Sequence, residues 1–240
     1  MMISPIEFTQ KLRAYFGENM EPPLAFWRSN KPIAETEKTG GCFFKGLQEA
    51  RQGQPLTLTA DNVGCGGGKF YLGFTEMPEY VPKFVSLKER YKRTPDDVES
   101  FIVNKNVQRT SYKCLNFIRI DKMKSLNGIE GLLFFAEPDV LSGLCGWAFY
   151  DNNDDDAVVT RFGSGCSAMI TSVFNENMCG GSSCFLGLFD PSVRVHVGAN
   201  ELGFSIPSSR LGSMLETIDS CFLNDSPAWN RVKDRINDEK

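Results

Sequence analysis

LLFFA, residues 132–136, is apolar at five consecutive positions. A strand with one wet face alternates apolar and polar side chains. An unbroken run of this length, followed by Pro138, reads as a central strand covered on both faces. That reading asks for a sheet with helices on two sides. Working outward, residues 115–120 alternate in part and read as a neighbouring strand, while Pro138 opens a helix to about 149. Pro22-Pro23 breaks the chain before a strand at 24–28, and 56–59 is a short strand. Residues 70–74 are a further strand candidate. In 193–197, Val193, Val195 and Val197 alternate with Arg194 and His196, the pattern of a half-buried strand.

Helix signals fill the intervals. Ser4-Pro5-Ile6-Glu7 is a capping box with proline at the first helical position, predicting a helix to about Gly17 with Ile6, Leu12 and Phe16 inward. Residues 42–52 suit a helix stopped by Gly53. Residues 81–91 form another, and Thr94-Pro95-Asp96-Asp97 starts one that carries Val98, Phe101 and Ile102 to one side. Residues 166–174 are helical, Ser208 or Ser209 caps a helix to about 222, and 226–237 carries the stripe Trp229, Val232, Ile236. Strands and helices are interspersed without a long linker. The sequence therefore predicts one α/β or α+β domain over residues 1–240, built around a mixed sheet.

The chain has 240 residues, 41% of them hydrophobic and 23% charged, enough for a sizeable core without staples. A net charge of −4 argues against a general nucleic-acid partner. The basic run KERYKR at 88–93 reads as a solvated face. MMISPIEFTQ lacks the apolar stretch of a signal peptide, and no apolar run approaches the length of a membrane span. A cytoplasmic protein is expected, away from membranes, and its eight cysteines are then reduced thiols.

Two stretches resemble one another. NVGCGGGKFYLGF occupies 62–74 and NMCGGSSCFLGLF occupies 177–189, with Gly40-Gly41-Cys42 and Ser164-Gly165-Cys166 upstream of them. This predicts two related halves, about 20–113 and 114–223, followed by the C-terminal helix. Glycine-rich backbone can present N–H groups to an anion, so Gly66, Gly67, Gly68, Gly180 and Gly181 are ligand candidates, with Cys65, Lys69, Arg51 and Arg194 beside them. Lys69 or Arg51 would hold the anion at the first loop, leaving Cys179 and Cys184 as the softer, metal-preferring end. Cys42, Cys65, Cys166 and Cys179 could together hold a thiolate-bound metal or an iron–sulfur cluster. The competing reading is that these are small buried hydrophobes, as expected for Cys114, Cys145 and Cys221.

Other signatures are missing. Neither a phosphate loop nor GxGxxG can be laid over the glycines, no CxxC occurs, and GxSxG is absent around Ser164. A cysteine nucleophile wants a base, and His196 is the one histidine. DNNDDD at 151–156 lacks the sixth-position glycine and distal glutamate of a calcium loop, so it reads as solvated. The function this supports is binding of a small anionic molecule or a metal at the paired Cys-Gly-Gly loops. A thiol-dependent redox or nucleophilic enzyme and a structural protein with buried thiols are the alternatives. Whether it is an enzyme is left open, as is a homo-oligomer.

The order Cys42…Ala50-Arg51-x-Gly53…Cys65-x-Gly67…Leu72-Gly73, continued by Gly165-Cys166, Leu186-Gly187, Arg194 and Glu201-Leu202-Gly203-Phe204-Ser205-Ile206-Pro207, resembles the uncharacterised family DUF169. The resemblance spans roughly 20–223 and implies no particular activity or substrate. Cys184 and the CGGSSC spacing depart from the family pattern.

Overall fold

Gly131–Ala136 is a strand whose six residues are all buried, and its side chains divide between two cores. Leu132, Phe134 and Ala136 enter one, Leu133 and Phe135 the other. A computed structural model describes residues 3–38 and 40–238 of the chain. Among these residues seven strands form one sheet: β1 (Leu24–Ser29), β2 (Leu56–Thr59), β3 (Cys114–Arg119), β4 (Gly131–Ala136), β5 (Val158–Val159), β6 (Cys184–Gly187) and β7 (Leu202–Pro207). Their order is β2-β3-β1-β4-β7-β6-β5. Every neighbouring pair is antiparallel except β5–β6, which makes the sheet mixed.

Helices cover both faces. One core packs against α1 (Pro5–Phe16), and the other against α2 (Phe44–Arg51) and α3 (Gly66–Tyr71). The chain then leaves the sheet through α4 (Val81–Lys83), a π-helical turn (Phe84–Lys88) and α5 (Pro95–Asn104). After β4 come α6 (Pro138–Phe149), a second π-helical turn (Ser167–Thr171) that leads into α7 (Ser172–Cys179), and the short α8 (Pro191–Arg194). α9 (Ser208–Thr217) and α10 (Pro227–Asp238) follow β7. α1, α6, α9 and α10 share the first face, where Trp147 is fully buried and its Nε1 donates to Met214 O at 2.9 Å.

Several local expectations change. Ile6 is 61% exposed, because the buried stripe of α1 is Phe8, Leu12 and Phe16 at i, i+4, i+8. Residues 70–74 are not a strand. The Cys65 side chain caps α3, which carries Phe70 and Tyr71 as its last turn. Residues 193–197 are helix and turn, because Asp190 caps α8 and Pro191 occupies its first position. Val193 is buried and Val195 exposed within that one turn. Ser208 starts α9 but Pro207 is its cap residue, the Ser208 hydroxyl donating instead to Asn177 Oδ1 at 3.1 Å. The expected 166–174 helix begins as the π turn and runs on to Cys179. The acidic loop is not wholly solvated. Asp151 pairs with Arg210, whose side chain is 4% exposed. Cys145 is half-buried, whereas Cys114 and Cys221 are buried.

The first face supplies a stability test. At Gly143 in α6 an added Cβ would stand 2.7 Å from Phe16 Cε1, and closer still to the Trp229 ring. Alanine favours a helix over glycine by ~1 kcal/mol, yet overpacking two rigid rings costs roughly 1–3 kcal/mol. Gly143→Ala is expected to lower stability, read as an earlier midpoint in urea unfolding. A later midpoint contradicts the packing of α10 on α6.

Candidate functional site

The second face does not close completely. A cleft of about 540 Å³ opens between the start of α3, the excursion through α4 and α5, residues 162–166, and α8. Six aromatic side chains line it: Tyr71, Tyr80, Phe84, Tyr91, Phe101 and Phe162. Tyr80, Phe84 and Phe162 are exposed, while Tyr71, Val98 and Val193 are buried, so the cleft runs from an aromatic rim inward.

Three thiols share this cleft: Cys42, Cys65 and Cys166. Each arrives by its own local rule. Cys42 precedes α2, and its carbonyl accepts from Lys45 N at 3.2 Å. Cys65 is the cap of α3, with its sulfur accepting from Gly68 N at 3.3 Å. Cys166 enters the second π turn, its sulfur 3.2 Å from the Ser164 hydroxyl. Thr171, at the end of that turn, donates to Tyr71 O at 2.7 Å and so ties the turn to α3. π turns are found disproportionately at functional sites, and both of this chain's described ones flank the cleft.

Glycine makes the close packing possible. Gly187 of β6 lies opposite Gly203 of β7. An added Cβ would meet Met169 Sδ at 2.5 Å from Gly187, and Met169 Cε at 3.1 Å from Gly203. The paired glycines therefore leave a hollow that seats the π turn, and Cys166 with it, on the sheet. Gly165 plays a similar part, since an added Cβ would stand 2.8 Å from Phe44 Cε2.

The two Cys-Gly-Gly stretches occupy different settings. Cys65 follows β2 and opens a helix, whereas Cys179 precedes β6 and ends one. Gly180 is the left-handed cap of α7 at φ +65°, with its N–H directed to helix carbonyls. Gly181 N donates to Glu176 O at 2.9 Å, and the Glu176 carboxylate accepts from Ser183 N. The backbone donors at this second loop are thus engaged with α7 itself.

Of the other sequence candidates, Gly67 and Gly68 line the cleft; Gly66, Lys69 and Cys179 do not. Arg51 is held elsewhere: it donates to Glu21 at 2.7 Å and to Glu201 at 2.6 Å, with its guanidinium 4.5 Å from the Phe135 ring centroid. Arg194 donates to the carbonyls of Gly198, Ala199 and Glu201. Cys184 is buried beside Met214. His196 stands apart from the cleft, its carbonyl accepting from Gln48 Nε2.

Sequence reasoning missed the aromatic lining and Asp190. Asp190 lines the cleft, is 5% exposed, and accepts from Ser192 N at 3.0 Å and Ser192 Oγ at 2.8 Å. The available signal was Asp190-Pro191, a helix start that the valine alternation obscured.

The family model DUF169, described as "Uncharacterised ArCR", matches residues 21–217. The chain belongs to DUF169. Among curated proteins and among solved structures nothing matches it. In this DUF169 chain, motifs that carry the resemblance fall into two groups. Cys42, Cys65, Gly67, Gly165 and Cys166 line the cleft. Arg51, Gly187, Arg194 and Gly203 are engaged in holding the scaffold together.

Two of the thiols in this DUF169 cleft, Cys42 and Cys166, are raised by burial. Burial raises Cys42 to about 11, with the nearby Cys65 and Asp190 adding to the effect against a backbone hydrogen bond. Burial pushes Cys166 higher still. Metal binding needs the thiolate, and among the described residues no group of three or more His, Cys, Asp or Glu is arranged to hold a metal ion. The donor set therefore does not fit a cluster or a structural metal.

Reactivity should follow burial. In native protein near neutral pH, an aromatic disulfide reagent is expected to modify exposed Cys179 in its fast phase, and Cys166, Cys184, Cys114 and Cys221 only after denaturation. Fast modification of Cys166 contradicts the packing around the second π turn. Because Cys42 titrates higher folded than unfolded, its contribution to stability is present below about pH 9 and is lost as pH rises through about 11. Urea midpoints should fall across that window, less steeply in Cys42→Ala.

Proposed function

We propose that this chain binds a small, largely apolar molecule in the cleft. The observation that carries the reading is a cavity of about 540 Å³ walled by aromatic side chains whose rim stays open to solvent. Cavities of ~300–1,000 Å³ with apolar walls and a few polar groups are the usual form of small-molecule sites. Here the polar groups include Ser164, Ser192 and Asp190, with the thiols among them and Glu89 and Lys92 on the α5 side. A thiol enzyme is the lesser reading: Cys65 lines the cleft and accepts an amide hydrogen, but His196 lies elsewhere.

We also read residues 20–113 and 114–223 as related halves of one domain. What supports this is that β1 of the first half and β4 of the second pair antiparallel at the centre of the sheet. The correspondence then matches Cys42 with Cys166, each ahead of the helix that leads to β2 or β6, and leaves the glycine stretches unmatched. A cytoplasmic setting suits eight unpaired cysteines. No helix among the described residues is long and apolar enough to cross a membrane.

Gly67 provides the test. It lines the cleft, its φ is not positive, and an added Cβ would meet only Cys65 Sγ, at 3.9 Å. Gly67→Leu should therefore fill the cleft without straining the backbone. N-phenyl-1-naphthylamine, an uncharged dye that brightens in apolar surroundings, is expected to bind the parent saturably. In Gly67→Leu, with an unchanged circular dichroism spectrum, binding should weaken by about tenfold or more. Equal binding by parent and variant, or none by the parent, sinks the reading.

A further inference from the structure

At one side of the cleft mouth three cations gather without a counter-ion. Phe101 lies in the last turn of α5 and Lys105, four residues on, is the helix's C-terminal cap, so the two fall on one side. Lys105 Nζ stands 4.6 Å from the Phe101 ring centroid, and Lys92 Nζ stands 5.0 Å from the same centroid. Lys105 Nζ also donates to Phe162 O at 2.9 Å, which brings it beside Arg161. Lys92, Phe101 and Phe162 line the cleft itself. Elsewhere Arg28, Arg51, Arg119 and Arg210 each meet a carboxylate. Among the described residues none of Lys92, Lys105 and Arg161 does.

We propose that Lys92, Lys105 and Arg161 form an anion subsite at the mouth of the cleft, so that its ligand is an amphipathic anion: an apolar, ring-containing body bearing a carboxylate or a phosphate. The proposal rests on the cleft being a binding site and adds the ligand's charge. Cations over aromatic faces are partly shielded from water, and an arriving anion gains from both lysines at once. The charges that face this corner are consistent with the assignment. Lys92 comes from the segment before α5 and Arg161 from the loop after β5; burial first, then Arg161 and Lys92, lowers the Lys105 amine to about 8. Glu89 and Asp190 also line the cleft, but Glu89 is exposed and the Asp190 carboxylate is engaged by Ser192. An anion drawn to the cations relieves their mutual repulsion while its apolar body covers the aromatic wall.

A matched pair of dyes separates charge from shape. 8-Anilinonaphthalene-1-sulfonate has the same aromatic frame as N-phenyl-1-naphthylamine plus one fixed negative charge. The parent is expected to bind the sulfonate about tenfold more tightly than the neutral dye, as for one added charge-assisted hydrogen bond. Lys105→Met and Lys92→Met should each erase most of that preference, read as the ratio of the two dyes' affinities within each variant. The preference should also shrink as pH rises past about 8, where Lys105 loses its proton. Gly67→Leu should weaken both dyes. If the lysine variants weaken both dyes equally, or leave the sulfonate preference intact, the anion subsite is overturned while the cleft reading stands. If Gly67→Leu affects neither dye, the cleft reading and the subsite fall together. Naphthoate and naphthyl phosphate as competitors then tell a carboxylate from a phosphate, and failure of both to displace the sulfonate also overturns the assignment.

Discussion

Because β4 is apolar on both faces and hydrogen-bonded to β1 and β7 along both edges, helices must cover the sheet on two sides. The rest of the molecule follows from that double demand. The central β1–β4 pair is also pinned by charge. Glu130, just ahead of β4, accepts from Arg28 N at 2.7 Å and from Arg28 Nε at 2.9 Å, and the guanidinium lies 3.9 Å from the Phe174 ring centroid of α7. A partly buried bidentate pair of this kind fixes register more surely than it adds stability. It ties β1 to the start of β4 beneath Phe174 of α7.

The two faces are finished differently. On the first, α6, α9, α10 and α1 close over the sheet through large rings, Phe16, Trp147 and Trp229 among them. On the second, α2 and α7 cover the middle, and the chain between α3 and β3 makes a long excursion with few buried side chains of its own: Val81, Pro82, Ser86 and Val98 in its helical parts. Such a segment cannot bury itself and must lean on its neighbours. It leans on the Cys166 turn and α8, and the contact is incomplete, which leaves the cleft. Arg51 stabilises the opposite end of the same face by joining α2 to Glu21 and Glu201. The residue that looked like an anion clamp in the sequence is therefore satisfied by the protein's own carboxylates.

Much of the fold was legible because its signals are local. The apolar run at 132–136, the capped prolines at Pro5, Pro95 and Pro227, and the stop at Gly53 each act within a turn or a strand, and each element formed. What failed was alternation read without its flanks: Val193 to Val197 follows Asp190-Pro191, and a capped proline outranks three valines. β6 and β7 escaped notice because their glycines look like loop residues, although Gly187 leaves room for Met169 and Gly203 for Leu188 and Met169. For the site, the sequence offered Cys42, Cys65, Cys166 and Cys179 as a set, of which the fold brings the first three to the cleft and leaves Cys179 outside it. The aromatic wall was not, because Tyr71, Tyr91, Phe101 and Phe162 come from four separate stretches that only the tertiary fold brings together.

The electrostatics of the cleft then have one consistent interpretation. The protein as a whole carries −4, and the buried Arg210 and partly buried Arg28 and Arg51 are matched by carboxylates. Against that background, Lys92, Lys105 and Arg161 are a local excess of positive charge that no carboxylate among the described residues pairs. Burial raises the Cys42 and Cys166 thiols, which keeps both protonated near neutral pH. Charge is thus confined to the mouth and the interior is left uncharged apart from Asp190, whose carboxylate already caps α8. The amphipathic anion we propose matches that distribution, its apolar part suited to the interior and its negative group to the rim.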